Sequence, residues 1–200
     1  MKRKWKLWMI AFVVFVMTDI MMQSNRAEAK KRTFTVSSKT IPCSSSYRQK
    51  PYYNKKTKQY YMINSYMRRL STTGGTLKLK KGTYKIPGTI YVPSNVKIVC
   101  ANGVKIKKTK ATGTKKVKST KFLFQMISEE KASGKQNTGK YAASKNASIQ
   151  GNGKVIFDMG NVNGATAVFV GHASGITVSG VRFRNKKGGS YIWIEGSKNI

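Results

Sequence analysis

Three side chains of this 200-residue sequence carry acid–base potential in a pattern worth weighing: Asp158, His172 and Glu195. Hydrolysis by a general acid and a base needs two carboxyls roughly 5–10 Å apart, and Asp158 with Glu195 is the pair on plausible faces. Asp158 alternates out of phase with Val155 and Phe157, a position open to a sugar or calcium contact. It also opens Asp158-Met159-Gly160-Asn161, which reads as a turn. His172 lies between Phe169-Val170 and a turn, where a corner hydrogen bond competes with catalysis. Further on, if Ile192 and Ile194 point inward, then Tyr191, Trp193 and Glu195 share an outer face. Arg182 and Arg184 share an outer face one element earlier, with Val181 and Phe183 inside. Aromatic rings stack on the C–H faces of sugars and arginines pair bidentately with carboxylates. Arg182, Arg184, Tyr191 and Trp193 are therefore the expected binding residues for a uronic-acid chain. The competing expectation is a packed tryptophan and arginines in water. No metal site is expected and no cofactor is evident. Calcium is expected only if the chemistry is a lyase's, and the scattered carboxylates Glu129, Glu130, Asp158 and Glu195 give no cluster of acidic ligands for it in the sequence.

The elements that must position these residues are short. Met62, Ile63, Tyr66, Met67 and Leu70 recur at helical spacing, with Thr57 as a candidate N-cap and Gly74-Gly75 as the stop. After Gly75 the period becomes two: Leu77 and Leu79, Tyr84 and Ile86, Ile90 and Val92, Val96 and Ile98, Val104 and Ile106. Gly, Pro or Asn turns separate them. A sandwich wants longer strands, near 5–6 residues, so many short strands with tight corners predict a coiling chain whose turns stack. Asn146, Gly175 and Asn199 open successive repeats, and the steps between them match one solenoid coil. Asn at such corners accepts a left-handed backbone. Residues 107–145, rich in Lys, Thr and Gly around the apolar patch Phe122 to Ile127, read as one long inserted loop. The pattern stops at Asn199-Ile200 as a strand begins, so a fragment is expected.

Residues 1–29 read as a secretory signal peptide. Lys2, Arg3, Lys4 and Lys6 precede the apolar run Leu7 to Met17, and Ala27-Glu28-Ala29 supplies the small residues of a cleavage site. The rival is an uncleaved membrane anchor, but a span wants ~20 apolar residues and Asp19 interrupts this run. Residues 30–57 follow as a basic, polar, extended lead-in, and 58–200 as the repeat domain. Removing residues 1–29 takes away five basic and two acidic residues, which lowers the formal charge from +33 to +30. That field favours polyanions, and in an exported protein those are acidic polysaccharide or an anionic cell-wall polymer. No nucleic-acid-binding motif is present, no stable membrane insertion is expected after cleavage, and a monomer is expected. Cys43 and Cys100 allow one disulfide, while Cys100 fits a buried thiol equally well. Both readings stay open.

The run from Lys58 to Lys107 resembles the N-terminal entry of the pectate-lyase-like (pectin lyase fold) superfamily. The resemblance rests on a helix followed by Gly74-Gly75-Thr76-Leu77-Lys78-Leu79-Lys80-Lys81-Gly82-Thr83-Tyr84, the Pro93-Ser94-Asn95 corner and Asn102-Gly103. Ile149-Gln150-Gly151-Asn152-Gly153 with Ile156-Phe157-Asp158 is similar to a coil of polygalacturonase-like glycosidases. The resemblance covers about residues 58–106 and 146–200. It implies an all-β chain, a right-handed parallel β-helix capped by an N-terminal amphipathic helix, in a secreted protein that cleaves or binds polysaccharide. Polygalacturonase-type catalysis implies Asn-x-Asp, paired Asp-Asp and Gly-His-Gly, and none of these occurs: Gly171-His172 is followed by Ala173. The two expectations are thus a polyuronate hydrolase or lyase, and a non-catalytic cell-surface or cell-wall scaffold.

Overall fold

A computed structural model describes residues 31–134 and 138–200; the signal-peptide reading lies outside the described residues. In chain order the elements are β1 Arg32–Val36, α1 Ser45–Arg48, α2 Lys58–Leu70, β2 Gly75–Leu79, β3 Gly82–Ile86, β4 Ile90–Tyr91, β5 Val96–Cys100, β6 Val104–Lys108, β7 Phe122–Gln125, α3 Glu129–Ala132, β8 Ser148–Gly151, β9 Ile156–Asp158, β10 Thr166–Gly171, β11 Thr177–Ser179, β12 Arg182–Arg184 and β13 Ile192–Glu195. The chain is all-β in character. Its strands form three parallel sheets: sheet A is β1-β2-β5-β8-β11, sheet B is β3-β6-β9-β12, and sheet C is β4-β7-β10-β13. From β2 onward the chain visits A, B and C in turn, so each strand pairs with the one three strands later.

Period-two alternation explains this arrangement. Along sheet B, Tyr84, Ile106, Phe157 and Phe183 occupy one register column, and the first three are fully buried. Along sheet A the equivalent column is Phe34, Leu77, Ile98, Ile149 and Val178. Sheet C contributes Ile90, Phe124 and Val168. The three inner faces enclose one core, in which the rings of Phe124 and Phe157 sit 5.1 Å apart. Helix α2 lays Met62, Ile63, Met67 and Leu70 against it. Thr57 holds the N-cap position, but its hydroxyl donates to the Tyr52 carbonyl instead of capping. No described helix is long and apolar enough to cross a membrane.

The corners before sheet A form a ladder. Gly74, Asn95, Asn146, Gly175 and Asn199 all have φ between 53° and 66°. Their backbones are linked in sequence: Gly75 N–H donates to Asn95 O and Asn146 N–H to Ser174 O, at 2.9 and 3.0 Å, while Ile176 N–H reaches Asn199 O at 3.1 Å. A Cβ on Gly175 would lie 2.8 Å from Asn146 Oδ1, so the rung must be small there. Because Asn tolerates this conformation better than Ala, Asn146→Ala should lower unfolding stability by about 1 kcal/mol and Asn146→Gly by less. Thermal unfolding of the two variants measures the difference, and equal losses would remove the conformational explanation.

One sequence expectation is corrected and another gains detail. The stretch 107–145 is not one loop: Phe122–Gln125 is strand β7, seated between β4 and β10. Leu123 and Phe124 are both fully buried, so the alternation that marks β2, β3 and β5 is absent. The lead-in 30–57 likewise contains β1, paired in parallel with β2. Only Phe34 and Val36 alternate there, too brief a signal among lysines and threonines.

Candidate functional site

Because Tyr84, Ile106, Phe157 and Phe183 face the core, their neighbours on sheet B face outward. The register places Thr83, Lys105, Ile156 and Arg182 in one outer column, and Lys85, Lys107, Asp158 and Arg184 in the next. Neighbours in such a column are about 4.8 Å apart. Lys55 and Lys56 come from the turn before α2 and join Lys85, Lys107, Thr109 and Ala111 around an open cavity of about 370 Å³. Among the described residues, the ion pairs within 4.0 Å join Arg68 to Glu129 and Glu130, and Lys105 to Asp158. Lys55, Lys56, Lys85, Lys107, Arg182 and Arg184 belong to none of these pairs, although Asp158 lies between Lys107 and Arg184 in their column. Lys85 and Lys107 are adjacent in their column, where like charges repel by about 1 kcal/mol even in water, and an anion laid along the face relieves that repulsion.

Asp158 sits within this face but is withdrawn from it, at 1% exposure. Its Oδ2 is 2.8 Å from Lys105 Nζ. Its Oδ1 accepts from the Gly160 N–H at 2.9 Å and from Asn185 Nδ2 at 2.8 Å. Burial alone would raise its pKa. The hydrogen bonds from Lys105, Asn185 and Gly160, with the Lys105 charge, outweigh burial and hold the carboxyl below its ordinary range. A group so held stays ionised and bound to its donors, the opposite of what a general acid requires. The turn reading of Asp158-Met159-Gly160 agrees with its bond to Gly160.

Of the remaining sequence candidates, Arg182 and Arg184 fall on this face and the others do not. Arg182 and Arg184 are exposed on β12 in sheet B, whereas Trp193 and Glu195 belong to β13 in sheet C. Tyr191 stacks on Phe183 with ring centroids 5.2 Å apart and planes at 24°, at the margin of the core. The arginines and Trp193 are thus split between different sheets, because the Asn185–Ser190 turn lies between them. Ile192 and Ile194 pair with the buried Val168 and Val170, as their inward phase predicts. They nevertheless stay 41% and 50% exposed, because β13 is an edge strand. His172 is a left-handed corner, φ 51°. Its N–H donates to Glu195 O at 2.9 Å and its carbonyl accepts from Ala143 N–H at 2.9 Å. The first of these bonds holds His172 beside Glu195, and the second ties it to Ala143.

One chemically unusual residue escaped the sequence reading. Lys108 continues the inward phase of Val104 and Ile106 and is fully buried. Its Nζ donates to Pro87 O at 3.0 Å, Gly88 O at 2.9 Å, Phe122 O at 2.8 Å and Thr120 Oγ1 at 3.2 Å. The signal was present as a lysine where the alternation calls for an apolar residue, but lysines fill every neighbouring outward position and mask it. Cys43 and Cys100 are both free thiols, which settles the disulfide alternative in favour of thiols. Cys43 Sγ bonds Ser65 O at 3.2 Å, while burial pushes the Cys100 thiol up to about 12. Among the described residues no group of three or more His, Cys, Asp or Glu side chains comes together. Compared with known proteins, the chain matches no family model, no curated protein and no solved structure.

Proposed function

We propose that this chain forms a secreted right-handed parallel β-helix of the pectin lyase fold, capped by α2, that binds acidic extracellular polysaccharide along the outer face of sheet B. The A-B-C strand order and the left-handed corner ladder support the β-helix. The observation that carries the binding reading is the register of sheet B, which aligns Lys85, Lys107 and Arg184 in one column with the sole carboxylate between them, Asp158, already neutralised. A linear polyanion meets cationic groups on the β3, β6 and β12 rungs, and the electrostatic attraction grows with the number of them it spans.

Binding is favoured here over cleavage. Acid–base hydrolysis asks for two carboxyls with opposed protonation needs, and this face offers one, held ionised and enclosed. The non-catalytic cell-wall scaffold is therefore the form of the proposal that Asp158 itself supports. A polysaccharide hydrolase or lyase is the alternative, and release of reducing ends or of unsaturated product would establish it.

The test is binding to a polyuronate against a neutral polysaccharide of equal length, from about 50 mM to about 500 mM salt, where screening shortens the reach of surface charge severalfold. The polyuronate should bind, weaken steeply with salt, and lose about tenfold in affinity in the Lys85→Gln/Lys107→Gln/Arg184→Gln variant, since exposed pairs contribute a few tenths to about 1 kcal/mol each. Equal binding of the neutral polymer, or affinity indifferent to salt, would overturn the proposal.

A further inference from the structure

A second cationic cavity is built on the helices instead of the strands. On α2, Ser65, Arg68 and Arg69 stand at three- and four-residue spacing and so share one face. The segment that carries α1 is pinned to that face by Cys43, whose N–H donates to Ser65 Oγ at 3.1 Å and whose Sγ donates to Ser65 O at 3.2 Å. Farther along, the Tyr47 ring packs on Tyr61 with centroids 6.2 Å apart. The open cavity here measures about 420 Å³, and Lys50, Arg68 and Arg69 line it with Ser44, Ser46 and Tyr47. No carboxylate lines it. Glu129 and Glu130 each stand 3.9 Å from Arg68, and Tyr47 Oη donates to Glu129 at 3.1 Å. Both carboxylates line a separate small cleft with Asn64 and Tyr91, so they tether Arg68 and Tyr47 from outside the cavity. Lys50 and Arg69 belong to no ion pair among the described residues.

We infer that this cavity is a binding site for a phosphate monoester. A terminal phosphate carries about −1.5 to −2 charge at neutral pH and three acceptor oxygens, and three cationic side chains line the same space. Guanidinium forks match such oxygens in pairs. A carboxylate, with one charge and two oxygens, would leave part of this set unanswered. The Ser44 and Ser46 hydroxyls, 2.8 Å from one another, add donors. The volume is that of a small-molecule site and exceeds what a bare phosphate fills, so the organic part of the ester has room against the Tyr47 ring. Lys50 Nζ now stands 5.2 Å from the Tyr47 centroid and 5.6 Å from that of Tyr61. Such cation–π contacts are weak where solvent reaches them, and a phosphate oxygen is a stronger partner. The Cys43 and Tyr47 contacts hold the two walls together before any ligand arrives, which lowers the ordering cost of binding. This site shares no residue with the sheet B face, and it stands whether or not a polymer binds there.

Titration calorimetry with glycerol 1-phosphate measures the binding, and Cys43, which also lines the cavity, locates it. Cys100, the other cysteine, is fully buried, so alkylation of the folded chain by iodoacetamide reports on Cys43. At constant ionic strength the ester should bind, and saturation with it should slow Cys43 alkylation severalfold. Inorganic phosphate, the free-anion source of the same chemistry, should bind more weakly, and glycerol should not bind. Lys50→Gln/Arg69→Gln should weaken the ester by about tenfold, the loss of charge-assisted contacts, with circular dichroism unchanged. The sheet B triple variant should leave the titration intact. Inorganic phosphate binding as tightly as the ester overturns the ester assignment, and galacturonate binding as tightly overturns the phosphate assignment. No binding of the ester, an affinity unaltered in the Lys50/Arg69 variant or lost in the sheet B variant, or Cys43 alkylation unchanged at saturation each overturns the site.

Discussion

Replacing Lys108 with methionine should destabilise the protein by about 2–4 kcal/mol at neutral pH, measured by denaturant unfolding, without altering the outer faces of any sheet. Methionine fills nearly the same volume, so the loss is one of hydrogen bonding and not of packing. Of the four oxygens around Nζ, Pro87 O also accepts from Thr120 N–H, and Phe122 O accepts from Thr89 Oγ1 at 3.2 Å. Gly88 O is left with no other donor among the described hydrogen bonds. Leaving a buried acceptor unmet costs about 1–3 kcal/mol, and the bonds lost from a charged donor add to it. Against this, methionine removes the cost of burying an ammonium, which is why the loss is smaller than the count of bonds suggests.

That opposing cost makes the effect depend on pH. Burial pushes the Lys108 pKa down to about 7, while the oxygen cage favours the ammonium and works the other way. A lysine depressed in the folded state releases its proton there before it does in the unfolded chain. The unfolded state then binds more protons between pH 7 and about 10, and stability rises with pH across that window. The wild type should therefore gain on Lys108→Met as pH rises from 7 to 10, by at most about 1.4 kcal/mol per pH unit, the slope of one proton. A flat difference over that range would mean that the cage holds the ammonium charged throughout. A stability equal to the wild type at every pH would remove the cage from the list of stabilising features.

The contrast between Lys108 and its neighbours shows what sequence conveys here. The strand pairs Leu77/Leu79, Tyr84/Ile86 and Val96/Ile98 were legible because alternation over a one-sided surface is a direct consequence of the pleat. The corner residues Asn146, Gly175 and Asn199 were legible because Gly and Asn are the residues that best suit a left-handed backbone. Strand β7 was not, since Phe122 to Met126 is apolar without a period. The outer face of sheet B was half legible: the inward phase of Val181 and Phe183 placed Arg182 and Arg184 correctly on it. Their vertical neighbours Lys107 and Asp158 come from earlier circuits, and register over such long separations is set by turn lengths that composition does not encode. For the same reason Trp193 was grouped with the arginines, although one turn carries it to another sheet, where Phe122 and Phe169 are its partners.

Asp158 tests the whole reading of sheet B, because its stability and binding effects have opposite signs. Asp158→Ala should cost about 3 kcal/mol of stability at neutral pH. Removing one member of a buried pair commonly costs about 3–5 kcal/mol, and the lower end applies because the Lys105 side chain is 40% exposed and can turn to water. Asn185 Nδ2 and the Gly160 N–H lose their acceptor as well. Asp158→Asn keeps an oxygen for those two donors and should cost roughly half as much. The carboxyl is held below its ordinary pKa in the folded state, so its contribution is complete above about pH 4, the unfolded value. It drains away as pH falls through the lower folded value, and the wild type and Asp158→Ala should converge in acid. Polyuronate affinity should move the other way at neutral pH. Without Asp158, Lys105 joins Lys107 and Arg184 as an unneutralised cation, and binding should strengthen by about twofold, as one exposed charge supplies. If Asp158 instead touched sugar, its loss would weaken binding. A variant that unfolds more easily yet holds the polymer more tightly is the result that only a structural, charge-neutralising aspartate produces.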